Sequence, residues 1–315
     1  MKEKRAIFWD NTRVSDYRTC PRKYYFRHVR NWAPVEKSPA LVFGLSWHSA
    51  MATLWELASS HKEMDNETLV AESYKSFYKT WLDEGFPENE VEAYSFYPRS
   101  PGRALQMLKT YVEEKRIFLS NIELLGNEES FVVPLEENNF YIGRFDKVYK
   151  RNEGVFIGEH KTTKSFSSTW IESFTPNSQI DGYLYAGYIT YENFRGLIVD
   201  GALVQKNKIE FMDIPVLRQL SLVEEWLGNT RDWINRILFD IELLYSVTDS
   251  DKYLQAFPMN TSNCVQYGRM CPYKDICRFY SNPLAITDVP IGLKEEKWQP
   301  FDEAKFREEV IKYAN

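Results

Sequence analysis

Long apolar runs are absent from the sequence, and their absence excludes a membrane-spanning helix. No stretch approaches the roughly eighteen uninterrupted apolar residues that a bilayer-spanning helix needs. The beginning of the sequence also lacks the apolar segment of a secretory signal, so we expect a cytoplasmic protein. Thiols stay reduced in the cytosol, so the four cysteines predict something other than disulfides.

Internal repeats, low-complexity segments and Gly-Lys pairs are absent as well. A solenoid architecture and a P-loop site for ATP are therefore excluded. Hydrophobic residues make up 43% of the 315 residues and aromatic residues 16%, which is enough to build a packed core. We predict an ordered globular protein with the length of one large domain or two small ones.

The charge of the chain is unevenly distributed. Its 45 acidic and 39 basic residues give a net charge of -6, which argues weakly against a nucleic-acid partner. Residues 1–30 are nevertheless rich in basic residues, namely Lys2, Lys4, Arg5, Arg13, Arg18, Arg22, Lys23, Arg27 and Arg30. Charge alone favours an ordinary solvated surface there, and contact with a nucleic acid is the alternative.

Hydrophobic periodicity predicts helices at both ends of the chain and strands in the middle. The predicted helices cover 45–57, 68–82, 104–119, 178–190, 220–247 and 302–313. The predicted strands cover 130–134, 140–149, 154–159, 196–204 and 209–214. Aromatic stripes on the first helices are interpreted as core. No linker divides the chain, so we predict one α/β domain with a helical N-terminal insertion.

Two carboxylates and a lysine have the spacing of a phosphodiesterase site. Asp146 ends the segment Gly-Arg-Phe-Asp, and Glu159 and Lys161 follow in Glu-His-Lys-Thr. A hairpin would place Asp146 and Glu159 on neighbouring strands, and Glu159 and Lys161 would share one face. Carboxylates and the backbone carbonyl of His160 suit Mg²⁺ or Mn²⁺, and Lys161 could orient or deprotonate a water. The alternative is an exposed, solvated Glu–Lys pair.

Two further segments carry candidate site residues. His48 stands at the start of a predicted helix, in Gly-Leu-Ser-Trp-His, and an ordinary core or surface histidine is the alternative. Gln179 and Tyr183 are four residues apart on a predicted helix, so their side chains lie one above the other. They could hold a phosphate or a water. Taken by itself, however, the pair is better explained as part of an ordinary helix face.

The cysteines are divided between the two ends of the chain. Cys20 stands alone, and Cys264, Cys271 and Cys277 follow with the spacing C-x₆-C-x₅-C. Four thiolates suit either Zn²⁺ or an iron–sulfur cluster, which would join the two ends of the chain and stabilise the fold. Four unrelated buried thiols are the alternative.

The order of these motifs resembles the PD-(D/E)XK nuclease superfamily. The resemblance is to its RecB-like branch with an iron–sulfur cluster, which includes the AddB nuclease domain and the CRISPR-associated adaptation exonuclease. It runs from Ser15 to Cys277 and rests on six motifs in the family order. They are S-x₄-C-P-x-K-Y-Y-F, G-x₃-H, G-x-x-D, E-x-K-T, Q-x₃-Y and C-x₆-C-P-Y-x₃-C.

The resemblance implies a fold class and an organisation of the chain. The expected fold is a restriction-endonuclease-like α/β core, in which helices flank a central mixed sheet. A single domain over 1–315 would contain a helical insertion at about 44–125 and a catalytic core at 130–250. A staple would join Cys20 to the segment 264–277.

The resemblance also implies roles for individual residues. His48, Asp146, Glu159 and the carbonyl of His160 would be the metal ligands, and Lys161 the catalytic lysine. Gln179 and Tyr183 match the helix motif that follows the catalytic strands, and Glu129 is expected near the site. Cys20, Cys264, Cys271 and Cys277 match the ligands of a 4Fe–4S cluster. Many relatives have C-x₂-C where this chain has C-x₆-C, so zinc stays an alternative.

The implied function is a metal-dependent DNA nuclease, an exonuclease that acts on single strands or ends. Arg18, Arg22, Lys23, Arg27 and Arg30 could follow the phosphate backbone. Stacking on bases or packing beside the cluster are alternatives for Tyr24, Tyr25 and Phe26. A helicase, an integrase or another recombination protein is an expected partner. The alternative functions are a catalytically silent DNA-binding or assembly subunit and a zinc-stapled adaptor.

Overall fold

The computed structural model describes residues 5–266 and 268–313 of the chain. Lys2 and Lys4 of the predicted basic segment lie outside these ranges. The chain forms two compact units. We call 37–131 with 143–223 the central unit, and 1–36, 132–142 and 224–315 the terminal unit. None of the described helices has the length and apolarity that crossing a membrane requires.

Eleven α-helices lie within the described ranges. They are α1 (Asn11–Thr19), α2 (Pro21–Tyr24), α3 (Pro39–Ser60), α4 (Asn66–Asp83), α5 (Glu90–Tyr94), α6 (Pro101–Ser120), α7 (Ser168–Glu172), α8 (Ser178–Thr190), α9 (Leu220–Leu244), α10 (Lys274–Phe279) and α11 (Glu303–Glu309). The helices begin where the sequence offers caps. For α4, the Asp65 carboxylate accepts hydrogen bonds from the backbone N–H and the hydroxyl of Thr68, at 2.8 and 2.7 Å.

The strands form one six-stranded mixed sheet and two small ribbons. They are β1 (Ile7–Trp9), β2 (Trp32–Pro34), β3 (Glu123–Glu136), β4 (Asn139–Arg151), β5 (Gly154–Thr163), β6 (Phe194–Leu203), β7 (Phe211–Val216), β8 (Val265–Gln266), β9 (Arg269–Met270) and β10 (Leu293–Glu295). The main sheet has the order β1-β4-β5-β6-β7, and β3 also pairs with β4. The β1–β4 and β5–β6 pairs are parallel, and the β4–β5 and β6–β7 pairs are antiparallel. This mixed sheet flanked by helices confirms the predicted fold class.

The core of the central unit is aromatic. Helices α3, α4 and α6 pack against one another, and α3 also packs against β5. Phe77 and Trp81 of α4 are completely buried there, with Trp47 of α3 and Tyr111 of α6 almost so. These residues confirm that the aromatic stripes of the predicted helices are core, because each stripe lies on the face that the neighbouring helices cover.

The terminal unit collects residues from three separate segments of the chain. A small core joins Phe8 of β1, Phe140 of β4 and Phe306 of α11. Tyr17 of α1 donates a hydrogen bond to the Asp240 carboxylate at 2.7 Å, and both residues are buried. Helix α1 is therefore tied to α9, which is far from it in sequence.

The predicted elements differ from the structure at several places, and the helix predicted over 45–57 is the longer α3. The strand predicted over 130–134 is the much longer β3, because polar residues hide its first half from an apolar pattern. The segment between α4 and α6 contains the short helix α5 instead of only a loop. The last predicted helix ends at Glu309 and continues as a 3₁₀ turn, Val310–Tyr313. The single-domain organisation stays a prediction.

Candidate active site

Strands β4 and β5 form the hairpin that carries three of the predicted site residues. The antiparallel ladder of β4 and β5 ends with the pair Lys147–Gly158, and Asp146 and Glu159 are the next residues on the two strands. Glu159 and Lys161 are two residues apart on β5 and share one face. The hairpin therefore brings two carboxylates and one ammonium group together, as the sequence spacing indicates.

Asp146 is held by contacts to both of its carboxylate oxygens. Its Oδ2 accepts a hydrogen bond from the backbone N–H of His160 at 2.7 Å, and its Oδ1 lies 3.2 Å from Nδ1 of His48. Burial alone would raise the pKa of Asp146, but the imidazole of His48 and the ammonium of Lys161 hold it well below its usual range. Asp146 is thus an ionised carboxylate at neutral pH.

Glu159 is in the opposite electrostatic situation. Its side chain is 1% exposed, and burial together with the charge of Asp146 raises its pKa to about 7, although Lys161 and His48 oppose the shift. One oxygen, Oε1, accepts a hydrogen bond from the Lys161 ammonium at 2.5 Å. The other, Oε2, is buried without a hydrogen-bond partner. An unpaired buried carboxylate oxygen is costly, and a bound cation would compensate it.

Helix α8 adds the predicted glutamine and tyrosine to the same face. Gln179 accepts from the Lys161 ammonium at 3.1 Å through Oε1 and donates through Nε2 to Glu159 at 3.2 Å and to Tyr183 at 3.3 Å. The Tyr183 hydroxyl in turn donates to the backbone carbonyl of Arg144 at 2.9 Å. Gln179 is therefore hydrogen-bonded to both members of the Glu159–Lys161 contact, and the role of Gln179 and Tyr183 in holding a phosphate or a water stays a prediction.

A carboxylate from β3 also reaches the site, and it belongs to Glu128. One ligand atom each from His48, Glu128 and Asp146 lies within 4.8 Å of the other two. The expectation named Glu129, its neighbour, which is not in this group. Strand alternation could not choose between the two acids, because Glu128 has φ of 51° and interrupts the regular strand. The sequence signal that could have pointed to Glu128 was its position directly beside Glu129.

Glu128 of β3 also forms an ion pair with a residue of the neighbouring strand β4. Its Oε2 lies 2.7 Å from Nε of Arg144. Burial raises the pKa of Glu128 even though Arg144 opposes the shift. Arg144 is two residues before Asp146 on β4, and its side chain is half-exposed. A cationic guanidinium therefore stands at the solvent side of the carboxylate cluster.

His160 contributes its backbone to the site, while its side chain lies on the other face of the sheet. The ring approaches the Lys147 ammonium and the Asp200 carboxylate, at 3.1 and 3.3 Å. Burial and the charge of Lys147 lower the pKa of His160 to about 4, so the ring is neutral. The role of the His160 carbonyl as a metal ligand stays a prediction.

The donor set suits a hard divalent cation. The carboxylates of Glu128 and Asp146 and the imidazole of His48 converge on one place, and the neighbouring Glu159 has a buried oxygen without a hydrogen bond. Oxygen-rich sites of this kind select Mg²⁺ or Mn²⁺, whereas a zinc site would be expected to use more nitrogen or sulfur. His48, Glu128, Asp146 and Glu159 are the residues that would hold the ion.

The four cysteines all belong to the terminal unit. Cys20 lies between α1 and α2, and Cys277 is in α10. Cys264 directly precedes β8, and Cys271 directly follows β9. All four are free and partly buried. The backbone N–H of Cys271 donates to the carbonyl of Cys264 at 2.8 Å, and the N–H of Asn260 donates to the Cys20 sulfur at 3.3 Å.

The spacing of the sulfur atoms tests which group they could hold. Tetrahedral zinc, with Zn–S bonds of about 2.3 Å, requires sulfurs about 3.8 Å apart. All four cysteines are among the described residues, and no three of their sulfurs lie within 4.8 Å of one another. Burial raises the pKa of Cys277 to about 11, while Arg22 opposes the shift. The assignment of a 4Fe–4S cluster or of zinc to these cysteines stays a prediction.

The basic N-terminal segment is mostly engaged within the terminal unit. Arg22 is buried and donates to the carbonyls of Phe257 and Leu254 at 2.9 and 3.1 Å. Arg27 pairs with Glu296, Lys23 pairs with Asp16, and Arg30 donates to two backbone carbonyls. The expectation of a phosphate-binding row is wrong for Arg22, because its guanidinium is needed to satisfy buried carbonyls.

The aromatic residues of the same segment form core. Tyr24, Tyr25 and Phe26 are at most 1% exposed. Tyr24 stacks on Phe257 with ring centroids 5.9 Å apart, and Phe26 stacks on Trp32 at 5.8 Å. The stacking of these residues on nucleic-acid bases is therefore excluded, and the packing alternative is confirmed.

Comparison with known proteins gives a family match over most of the chain. A family model described as "PD-(D/E)XK nuclease superfamily" matches residues 11–278. A crystal structure described as "Putative exonuclease" from Eubacterium rectale is similar, with 14% identity, a TM-score of 0.47, and coverage of 71% of this chain and 79% of that one. The crystal structure of SSO0001 has 14% identity, a TM-score of 0.28, and coverage of 73% and 77%. No curated protein matches this chain in sequence.

Proposed function

Because this chain belongs to the PD-(D/E)XK nuclease superfamily, we propose that it is a metal-dependent nuclease that hydrolyses phosphodiester bonds in DNA. The observation that carries the proposal is the buried Glu159 carboxylate. It has one oxygen on Lys161 and the other without a hydrogen-bond partner, beside the ionised Asp146. Such a carboxylate needs a cation, and a cation between carboxylates is the equipment of phosphodiester hydrolysis.

A divalent ion bound here would supply Lewis-acid stabilisation of the phosphate and a more acidic water. Asp146, Glu159, His48 and Glu128 would hold it. Lys161 stays protonated, because the charge of Glu159 raises its pKa despite its burial. We infer that Lys161 orients the attacking water and stabilises charge on the phosphate instead of accepting a proton.

Gln179 and Tyr183 have a supporting role in this proposal. The Gln179 amide bonds Lys161, Glu159 and Tyr183 at once, which limits the directions in which the ammonium can point. A fixed ammonium next to the water lowers the entropic cost of reaching the reactive geometry. Arg144, on the solvent side, is suited to meet the phosphate of an incoming strand.

The finer proposal is an exonuclease of the RecB-like type that acts on single-stranded DNA or on DNA ends. A DNA-processing partner such as a helicase or an integrase would deliver the strand, in the reducing cytoplasm that the free cysteines fit. Cys20, Cys264, Cys271 and Cys277 would hold a 4Fe–4S cluster in the terminal unit. Four free, partly buried cysteines in that one unit support the proposal, and zinc is the alternative.

A nuclease assay with a matched lysine variant tests the proposed activity. End-labelled single- and double-stranded DNA would be incubated with anaerobically purified protein and Mg²⁺, Mn²⁺ or EDTA. We expect metal-dependent cutting that falls by about 10²–10⁴-fold in Lys161→Ala, because a positioned charge is lost. Lys164→Ala, an exposed lysine three residues away, is the control and should cut like wild type.

Three outcomes of that assay are informative. A product ladder that shortens from one end supports an exonuclease and gives its polarity. Cutting that persists in Lys161→Ala contradicts the assigned site. Wild type that binds DNA and cuts nothing in either metal contradicts the nuclease proposal and supports a silent binding subunit.

Optical absorption and iron analysis test the proposed cluster. We expect protein purified without oxygen to be brown, with broad absorption near 400 nm and about four iron atoms per chain. Cys277→Ser should lower the iron content, since a serine hydroxyl is a poor ligand for iron. Colourless protein that contains about one zinc ion would overturn the cluster proposal and leave the nuclease proposal intact.

A further inference from the structure

A buried network of charged and polar side chains lies behind the catalytic hairpin. Lys147 of β4, His160 of β5 and Asp200 of β6 are each at most 4% exposed. The Lys147 ammonium donates to Asp200 Oδ2 at 2.8 Å, and the His160 ring approaches both groups. Tyr111 of α6 donates to the same Asp200 oxygen at 2.6 Å.

Trp55 of α3 closes this network on its helical side. Its indole N–H points to the Tyr111 hydroxyl at 3.2 Å, and its ring lies under the Lys147 ammonium at 3.7 Å from the centroid. A cation over an indole face is a favourable electrostatic contact when it is shielded from water. We call Trp55, Tyr111, Lys147, His160 and Asp200 the reverse-face network.

A glycine makes the lysine contact possible. Gly158 is the cross-strand partner of Lys147, and a Cβ at this glycine would lie 2.2 Å from Cε and 2.6 Å from Cγ of the lysine. The lysine stem therefore lies directly over the glycine backbone and reaches the neighbouring strands. Any larger residue at Gly158 would push the ammonium away from Asp200.

Three of the elements that supply site residues also supply a member of this network. Helix α3 carries His48 and Trp55, two helical turns apart. On β4, Lys147 follows Asp146 directly, and on β5, His160 lies between Glu159 and Lys161. Strand alternation turns Lys147 and His160 to the face opposite the carboxylates. The network thus joins the three elements whose relative position sets the site geometry.

We propose that Lys147, His160 and Asp200 are positioning residues that hold Asp146, Glu159 and His48 at the spacing a divalent cation requires; the proposal rests on the nuclease function proposed above. A buried ion pair adds little net stability compared with apolar residues of the same volume, because both charges lose their hydration. Its directional hydrogen bonds instead select one arrangement of the strands that carry them. A register or tilt error at Lys147 or His160 would move the adjacent metal ligands.

The principal test replaces the ion pair by neutral side chains of similar size. Lys147→Met combined with Asp200→Asn removes both charges together, so neither is left buried without a partner. The amide that replaces the Asp200 carboxylate is uncharged, and its oxygen can still accept from Tyr111. Val70→Ala, in the core of α4 and far from the strands in sequence, is the control for a general loss of stability.

A second pair of variants leaves all charges unchanged. His160 is neutral, so His160→Gln keeps polar atoms of similar reach, whereas His160→Leu keeps only the volume. These two variants keep the proposal testable if the double variant does not fold. We expect His160→Gln to retain more activity than His160→Leu at equal thermal stability.

Two readouts separate positioning from folding. The first is kcat and KM for cutting of end-labelled single-stranded DNA, and the second is calorimetric binding of Mn²⁺ without DNA. We expect the double variant to bind Mn²⁺ about 10–100-fold more weakly and to lose about 10–100-fold in kcat at saturating Mn²⁺. Its KM for DNA should stay within about twofold, because no network residue reaches the solvent side of the site.

The outcomes distinguish this inference from the proposed function. A folded double variant with wild-type Mn²⁺ affinity and kcat overturns the positioning role and leaves the nuclease proposal standing. An equal loss of Mn²⁺ affinity in Val70→Ala would also overturn it, since the effect would then follow stability. Wild type that binds Mn²⁺ and cuts no DNA would contradict the nuclease function, while the Mn²⁺ titration would still test the network.

Discussion

Two carboxylates in one site have opposite pKa shifts, and individual neighbours explain the difference. Burial would raise the pKa of Asp146, but the imidazole of His48 and the ammonium of Lys161 hold it well below the usual range. Glu159 is buried beside that negative charge, so its pKa rises to about 7. Like charges that share a site cannot both ionise without compensation. The residues therefore favour a cation as the missing partner.

Glu128 gives a prediction at the scale of one residue. Glu128→Gln should raise the Mn²⁺ concentration needed for half-maximal cutting by about tenfold, because a neutral amide is a weaker ligand than a carboxylate. Titration of activity against Mn²⁺ would measure the shift. Glu129→Gln is the matched control, with the same chemical change one position along β3. A shift in Glu129→Gln and none in Glu128→Gln would contradict the assignment.

Close packing between strands gives a prediction at the scale of elements. A Cβ at Gly143 of β4 would lie 2.4 Å from the ring of Phe131 on β3. Gly143→Ala should therefore lower the free energy of unfolding by about 1–3 kcal/mol, because the ring must move. Gly102→Ala is the control, since nothing lies within 4 Å of its Cβ position in α6 and alanine favours helix.

Urea unfolding would measure both glycine variants. The control should be as stable as wild type or slightly more stable. Equal stability of Gly143→Ala and wild type would contradict the close approach of β3 and β4 at this point.

Local patterns predict the hairpin of β4 and β5 well and its reverse face poorly. The alternation of β5 places Glu159 and Lys161 on one face, and turn residues between β4 and β5 mark the hairpin. Lys147 and Asp200 would instead be expected at the surface, because charged residues are rarely buried. Their partners Tyr111 and His160 are distant in sequence, so only the tertiary fold brings the charges together.

Local sequence patterns also do not predict which segments of the chain form each of the two units. The long helices α3, α4, α6 and α8 of the central unit follow apolar periodicity, and their bounds agree with the prediction within a few residues except at the start of α3. The five-residue helices α5 and α7 were not predicted. Helices α1 and α2 are rich in charged residues and have no clear apolar face, so periodicity does not reveal them. They are stabilised by tertiary contacts such as Tyr17 with Asp240.

The pH dependence of stability is a prediction for the whole molecule. Asp16 contacts Lys23 and His28 at 2.7 and 2.9 Å. Burial alone would raise the pKa of Asp16, but these two partners lower it below 3.8, the value of the free side chain. A lowered pKa in the folded state means that the stabilisation is complete above about pH 4. It is lost as the pH falls through the folded pKa.

Comparison of wild type with Asp16→Asn would check this dependence. Urea unfolding between pH 7 and pH 3 should show wild type more stable at neutral pH, with a difference that narrows as the solution becomes acidic. A difference that stays constant over this range would show that Asp16 contributes through its shape alone.

Because the terminal unit consists of three separate chain segments, its parts are synthesised at different times. Cys20 is synthesised more than 240 residues before Cys277, which takes roughly 12–50 s at ribosomal speeds of about 5–20 residues per second. All of the central unit, 37–131 with 143–223, is synthesised in that interval. The nascent chain thus carries one solitary thiol while its future neighbours are still untranslated, and the terminal unit is assembled last.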